Sequence, residues 1–278
     1  LHAFVQPGQA VVLQTPNYRP IRLAPGNWNL PRIEVPFKLV NAQYITPMPL
    51  LRQALTGAGA LLLSNPHNPI GKVFGRDELQ AVADICAAQD AWIISDEIHA
   101  ELCFDGRRHI PTASLSPEIA QRTITLMSAS KAYNVAGLKT CFAVIQNAEI
   151  RERFNNARCG MVDSVNPLGM EATRVAYSEG APWLAELKTY LQANRDWLVE
   201  AVRSRLPGVT INVPQGTYLA EDFLFIADTE NHAIRVVHPA TGLMSTLVGH
   251  GRAADGPDGD TPLAAGLARP HGIWVDPD

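Results

Sequence analysis

Lys131 is the first place in this sequence where side-chain chemistry could be done. It follows Ser128-Ala129-Ser130, directly after the apolar run Thr123–Met127. Small neighbours let a ligand approach closely, and a lysine amine can hold a carbonyl as an imine or carry a proton. A lysine taken alone is more often a solvated surface charge, but Ser128, Ser130 and the nearby Lys139 weigh against that here. Asp96 ends the run Ala91-Trp92-Ile93-Ile94-Ser95. Its carboxylate would emerge at a strand's carboxyl edge, where open α/β sheets place ligands, although a turn or helix-cap aspartate is also open. Asn68 lies between His67 and Pro69 and could equally serve a turn. On their own, His99 reads as a core imidazole and Tyr18 as a core aromatic.

Those residues must be positioned by regular elements. Residues 1–220 alternate short apolar runs with amphipathic stretches, as a mostly parallel α/β sheet flanked by helices does. Val11–Gln14, Ala60–Ser64, Trp92–Ser95, Thr123–Met127 and Cys141–Ile145 are expected strands. Asp77–Gln89 is an expected helix, with Leu79, Val82, Ala83 and Cys86 on one stripe. Phe104-Asp105-Gly106-Arg107 carries a tight-hairpin signature. A helix-rich segment runs from about Pro182 to Leu206 and is stopped by Pro207-Gly208. These patterns suggest a large domain over 1–160 and the start of a small helical domain over 161–220, both incomplete.

After Leu219 the pattern changes. Residues 221–278 hold nine acidic residues against three Arg and no Lys, a net charge of −6. The whole chain carries −4, so the first 220 residues net +2. Helical periodicity gives way to Phe223–Ala227, Ala233–Val237 and Met244–Val248, three short strands split by turn residues. Residues 225–237, with Arg269-Pro270-His271-Gly272, resemble the NHL repeat, a β-propeller blade, here about one blade long. A lone blade cannot close a ring, so a short all-β appendage is expected. Asp255, Asp258 and Asp260 lack an EF-hand's full spacing and read as a solvated acidic turn.

Four segments of the first part carry a family resemblance. They are Gln14-Thr15-Pro16-Asn17-Tyr18, Ser64-Asn65-Pro66-His67-Asn68-Pro69-Ile70-Gly71, Ser95-Asp96-Glu97-Ile98-His99, and Ser128-Ala129-Ser130-Lys131 followed by Asn134, Gly137, Leu138 and Lys139. Together they resemble the fold type I pyridoxal 5'-phosphate (PLP) enzymes of the class I/II aminotransferase group. Ser95–Ala100, the His109-Ile110-Pro111 triplet and Asn134–Lys139 resemble its cystathionine β-lyase-like carbon–sulfur lyase branch. The resemblance implies a PLP-transferase large domain in which Lys131 holds the cofactor as an imine. It further implies that Asp96 pairs with the ring nitrogen, that Asn68 and His99 face the phenolic oxygen, and that Tyr18 stacks on the ring. Ser128, Lys139 and, less directly, Ser130 would hold the phosphate, with Lys139 replacing the arginine of many relatives by a point charge. It also implies a homodimer and a small sulfur amino-acid substrate.

Two departures from the family bear on turnover. Its glycine-containing phosphate segment lies upstream of the part matching residue 1, and the start, Leu1-His2-Ala3-Phe4-Val5, reads as a chain entered partway. The match stops after Gln215-Gly216-Thr217-Tyr218-Leu219-Ala220, so no residue of 221–278 takes the role of the substrate-carboxylate arginine. A carbon–sulfur β-lyase leads the readings, a class I/II aminotransferase follows, and a non-catalytic fusion fragment with an NHL-type interaction segment stands third.

Composition narrows the classes. The 46% apolar and 18% charged content suits a globular protein with a real core. The mild net charge suggests no nucleic-acid partner. No apolar run reaches the ~20 residues of a membrane span. Cys86, Cys103, Cys141 and Cys159 have no CxxC spacing and read as buried free thiols of a reducing, cytoplasmic setting, with no metal implied.

Overall fold

In a computed structural model, residues 1–160, 164–205 and 210–219 are described, with the strands at 224–228, 233–237 and 244–248. The apolar runs become strands β1 (Val11–Thr15), β2 (Arg32–Pro36), β3 (Lys38–Val40), β4 (Gln43–Ile45), β5 (Ala60–Ser64), β6 (Trp92–Asp96), β7 (Thr123–Met127) and β8 (Phe142–Val144). Between them lie helices α1 (Arg19–Asn27), α2 (Met48–Leu55), α3 (Arg76–Ala88) and α4 (Pro117–Gln121). Helices α5 (Ala148–Asn156), α6 (Pro167–Glu179) and α7 (Ala181–Arg205) follow. Six strands form one sheet in the order β2-β1-β5-β6-β7-β8. Its pairs are parallel except β7 with β8. This is the expected mostly parallel sheet flanked by helices.

The central strands β1, β5, β6 and β7 are buried on both faces because they are apolar on both. Val12, Leu61, Leu63 and Ile93 pack with Leu51 and Leu55 of α2 and with Leu79, Val82 and Cys86 of α3. Their strand neighbours Val11, Leu13, Leu62, Ile94 and Ile124 belong to a second core cluster with Phe4, Val5 and Ile150. Successive side chains point to opposite faces, and each fully buried Leu or Ile stabilises the fold by roughly 1.5–3 kcal/mol. The stripe expected on α3 is the buried one, and the acidic Asp77 and Glu78 occupy its first turn, where the helix dipole favours them.

Two expectations need correction. Cys86 and Cys103 are buried, but Cys141 and Cys159 are exposed, since Cys141 precedes a short, largely exposed strand and Cys159 follows a helix end. Residues 104–107 do form a turn, with Arg107 N–H donating to Phe104 O, but no hairpin flanks it. Cys103 instead bridges to Gly216, which lies far along the chain.

That distal segment is seated tightly. Gln215 and Gly216 both donate their N–H to Gly71 O, at 2.7 and 3.0 Å, and Thr217 N–H donates to Leu102 O at 2.8 Å. Gln215 Oε1 accepts from Val73 N–H at 3.0 Å. Arg195 forks onto Asp105 at 2.7 and 2.8 Å and also donates to Pro214 O. Gly71 makes this approach possible: its φ is +65°, and a Cβ there would stand 2.5 Å from Pro214 Cβ.

The chain divides into two compact units, residues 1–195 with 213–219 and residues 196–212 with 220–278. The second unit contains the strands β9 (Leu224–Asp228), β10 (Ala233–Val237) and β11 (Met244–Val248). They form an antiparallel sheet in the order β11-β10-β9. Apart from these strands, the reading of the tail as an NHL-type blade lies outside the described residues. No described helix is long and apolar enough to cross a membrane.

Gly71→Ala should destabilise the protein by at least about 1–2 kcal/mol from the left-handed backbone alone, with the Pro214 contact adding to that. Gly26→Ala, on an open helical position with nothing near a new Cβ, should be neutral or stabilising by up to about 1 kcal/mol. Urea denaturation of both variants checks this; equal effects would remove the packing explanation.

Candidate active site

Parallel pairing brings the carboxyl ends of β1, β5, β6 and β7 to one edge of the sheet, and the residues singled out in the sequence emerge there. Ser64 stands opposite Asp96 in register, and Asp96 opposite Leu126. The turn after each strand carries one group: Tyr18 after β1, Asn68 after β5, His99 after β6 and Lys131 after β7.

Asp96 is the best fixed of them. Its backbone carbonyl accepts from Asn65 N–H at 3.0 Å, and its Oδ1 accepts from Ile98 N–H at 3.2 Å. Burial raises its carboxyl above the ordinary aspartate range, the Ile98 N–H opposes this, Glu97 adds to it, and the Lys131 ammonium opposes it. His99 is buried, and neither ring nitrogen has a hydrogen-bond partner among the described residues. Desolvation, and then the charge of Lys131, lowers its pKa to about 4, so the imidazole is neutral at pH 7. Lys131 is thus the common electrostatic neighbour of Asp96 and His99.

The other predicted residues fall into two groups. Tyr18 N–H donates to Asn68 O at 3.1 Å, and Asn68 N–H donates to Ser64 Oγ at 3.4 Å, which ties Tyr18 and Asn68 to the strand neighbour of Asp96. Ser128 Oγ donates to Thr140 O at 2.6 Å and accepts from Ser130 N–H at 3.0 Å. Ser130 Oγ lies 2.6 Å from Ser128 Oγ. These bonds draw the turn containing Lys139 back beside the one containing Lys131. Lys139 itself is exposed with φ +49°, and the Tyr18 side is nearly half exposed (46%). Neither the Lys139 ammonium nor the Tyr18 ring is seen against the Asp96–His99–Lys131 group.

Sequence reasoning missed two features. Tyr218, carried by the seated distal segment, presents its ring to His99 at 5.5 Å between centroids. Glu97, only 1% exposed, accepts from Ser95 Oγ at 2.8 Å and Thr112 N–H at 2.9 Å, and pairs with His109 Nε2 at 2.7 Å. The signal for the second was the acidic residue beside Asp96 and the His109-Ile110-Pro111 triplet, which had been read only as a motif.

Comparison with known proteins bears on this arrangement. Residues 1–224 match the family described as aminotransferase class I and II. The chain is 32% identical over 223 residues to the cystathionine β-lyase PatB of Bacillus subtilis, covering 79% of this chain and 57% of that protein. The structure of cystalysin from Treponema denticola, which contains a pyridoxal 5'-phosphate cofactor, superposes with a TM-score of 0.75 at 30% identity, covering 78% of this chain and 56% of that one. The structure of OvoB superposes with a TM-score of 0.74 at 41% identity, over 77% and 57%. The chain therefore spans little more than half the length of these relatives.

Burial of neutral His99 makes a stability prediction. Its folded pKa, about 4, lies below the ordinary 6.5, so the unfolded chain binds the extra proton first as the pH falls. Stability is fully present above about 6.5 and is lost towards 4. At about 1.4 kcal/mol per pH unit, that gap corresponds to roughly 3 kcal/mol. Asp96, raised by burial, acts in the opposite sense, so the difference between variants is the informative quantity. Urea denaturation at pH 7 and pH 4.5 should show His99→Asn losing less stability on acidification than the wild type; equal losses would contradict the assignment.

Proposed function

We propose that this chain, which belongs to the aminotransferase class I and II family, carries the cofactor-holding part of a pyridoxal-phosphate-dependent carbon–sulfur β-lyase. The observation that carries the reading is the meeting of a half-buried carboxylate, a buried neutral imidazole and a lysine ammonium at Asp96, His99 and Lys131. The residues suit the cofactor. His99 offers two buried nitrogens without hydrogen-bond partners among the described residues, and the Asp96 carboxyl, raised by lost hydration, would return to its charged form beside a cationic ring nitrogen.

Pyridoxal phosphate, when bound, supplies an electron sink for the pair left on the substrate Cα. Lys131 would hold the cofactor through its amine, release it to the substrate amino group, and then take the Cα proton. Asp96 would keep the ring nitrogen protonated by ion pairing. Asn68 and neutral His99 would face the phenolic oxygen, and Tyr18 would cover the ring. The Ser128 and Ser130 hydroxyls and the Lys139 ammonium would bind the phosphate by charge-assisted hydrogen bonds. The substrate is an amino acid bearing sulfur on Cβ; that sulfur leaves as a thiol, and water then hydrolyses the remaining enamine to pyruvate and ammonia. The same proton removal begins amino transfer, and the family match favours that as the second reading. Exposed apolar side chains one above the other on α6, Leu168 at 71% and Val175 at 37%, support a homodimer in which that face is covered.

Mixing the purified protein with pyridoxal phosphate should give the absorption band of a lysine-bound cofactor, and Lys131→Ala should lack it. Pyruvate release from cystathionine should fall by at least about 10²–10⁴-fold in the same variant. A band that survives Lys131→Ala would overturn the assignment. Amino transfer dependent on a keto acid, without pyruvate, would replace the lyase by an aminotransferase.

A further inference from the structure

We propose that Glu97 is a positioning residue, whose lock onto His109, Ser95 and Thr112 holds the Asp96–His99 turn in the geometry the site uses. The inference rests on the site reading given above and concerns side chains to which that reading assigns no role. Asp96 and Glu97 are consecutive at the end of β6. The Asp96 carboxylate shares its surroundings with Lys131, while the Glu97 carboxylate is bound to the 109–112 segment.

Glu97 has little freedom. Its Oε1 accepts from Ser95 Oγ (2.8 Å) and Thr112 N–H (2.9 Å), and its Oε2 pairs with His109 Nε2 (2.7 Å). With Ser95 Oγ donating to Glu97, the Thr112 hydroxyl, 3.0 Å away, donates to Ser95 in turn. Ser95 and Thr112 are fully buried and Glu97 nearly so. Rotating Glu97 would strand a buried charge and two buried donors together, which is far costlier than losing one exposed contact. The backbone is held on both sides as well: Glu97 N–H donates to Leu126 O and Asp96 O accepts from Asn65 N–H. From this fixed point the chain turns, with Ala100 N–H on Glu97 O and Leu102 N–H on His99 O, both at 2.9 Å. Asp96 precedes the anchor by one residue and His99 follows it by two. A single buried lock therefore sets the direction of both groups that share Lys131. It also gives the His109-Ile110-Pro111 triplet a physical task, since His109 supplies the Nε2 that meets Glu97 Oε2 and the residue after the triplet supplies the Thr112 N–H.

The test compares wild type, Glu97→Gln, His109→Gln and Ile85→Ala, the last being a core change on α3 that lowers stability without touching the lock. Three quantities are read: pyridoxal phosphate affinity by absorption titration, the pH midpoint of the lysine-bound cofactor band, and amide exchange at Ile98 in the cofactor-free protein. Glu97→Gln is expected to weaken cofactor binding by about tenfold, the equivalent of one charge-assisted hydrogen bond, to move the band midpoint, and to speed Ile98 exchange. Ile85→Ala should leave the midpoint unmoved. Should Glu97→Gln fail to fold, His109→Gln, which keeps a donor but removes the imidazole, carries the same expectation. A wild-type band with Glu97→Gln matching it in all three readings would overturn the positioning role and leave the site reading intact. Matching shifts in Ile85→Ala would also overturn it, because they would report stability alone. A wild type with no Lys131-dependent band would instead bring down the site reading and this inference together.

Discussion

A carboxylate that loses part of its hydration needs compensation close by, and the upper edge of this sheet is organised around meeting that need for Asp96. Burial pushes the Asp96 carboxyl towards its neutral form, and the two groups that push back are the Ile98 N–H and the Lys131 ammonium. Both come from turns that directly follow parallel strands. Parallel pairing matters here because it delivers every carboxyl end to the same side, so groups from β1, β5, β6 and β7 converge without long connections. The apolar strands beneath, buried on both faces, make that edge a stiff platform and not a loop assembly.

The same electrostatics gives His99 its character. An imidazole stripped of water, with a cation nearby, stays uncharged at neutral pH. A neutral ring can donate to or accept from a ligand without adding to the positive charge of Lys131. Glu97 works from the opposite side of the chain, where its charge is taken up by His109 and by two donors. The turn from 95 to 99 therefore separates two carboxylates by role: one is fully hydrogen-bonded inside the protein, and the other is left with capacity to spare.

Much of this was legible from residue patterns. The strands at 60–64 and 123–127 have the bounds that their apolar runs suggested, and α3 lies one residue from its expected span, because buried parallel strands and a striped helix leave strong periodic traces. Strand β2, Arg32-Ile33-Glu34-Val35-Pro36, left none: it is an edge strand with a single buried residue, and its charged members pair with each other and with Arg22. Cys141 was misjudged because an apolar run on an exposed edge looks like one in a core. The relation of Lys131 to Asp96 was legible only through family resemblance, since they stand 35 positions apart in the chain with a whole strand pairing between them. The Glu97 lock was beyond a linear reading, because its partners sit 12 and 15 residues away in a turn whose path no local rule dictates.

The seat of residues 213–219 has a consequence for assembly. Gly71 and Val73 are joined to Gln215 across more than 140 residues of chain, and Tyr218 reaches His99 through that junction. Contacts so distant in sequence must meet the entropy of closing a long loop before they return any stabilisation. During synthesis, the platform of β1, β5, β6 and β7 can form while this later segment is still unmade. The contact of the Tyr218 ring with His99 is therefore a late addition, made only once this segment has been synthesised.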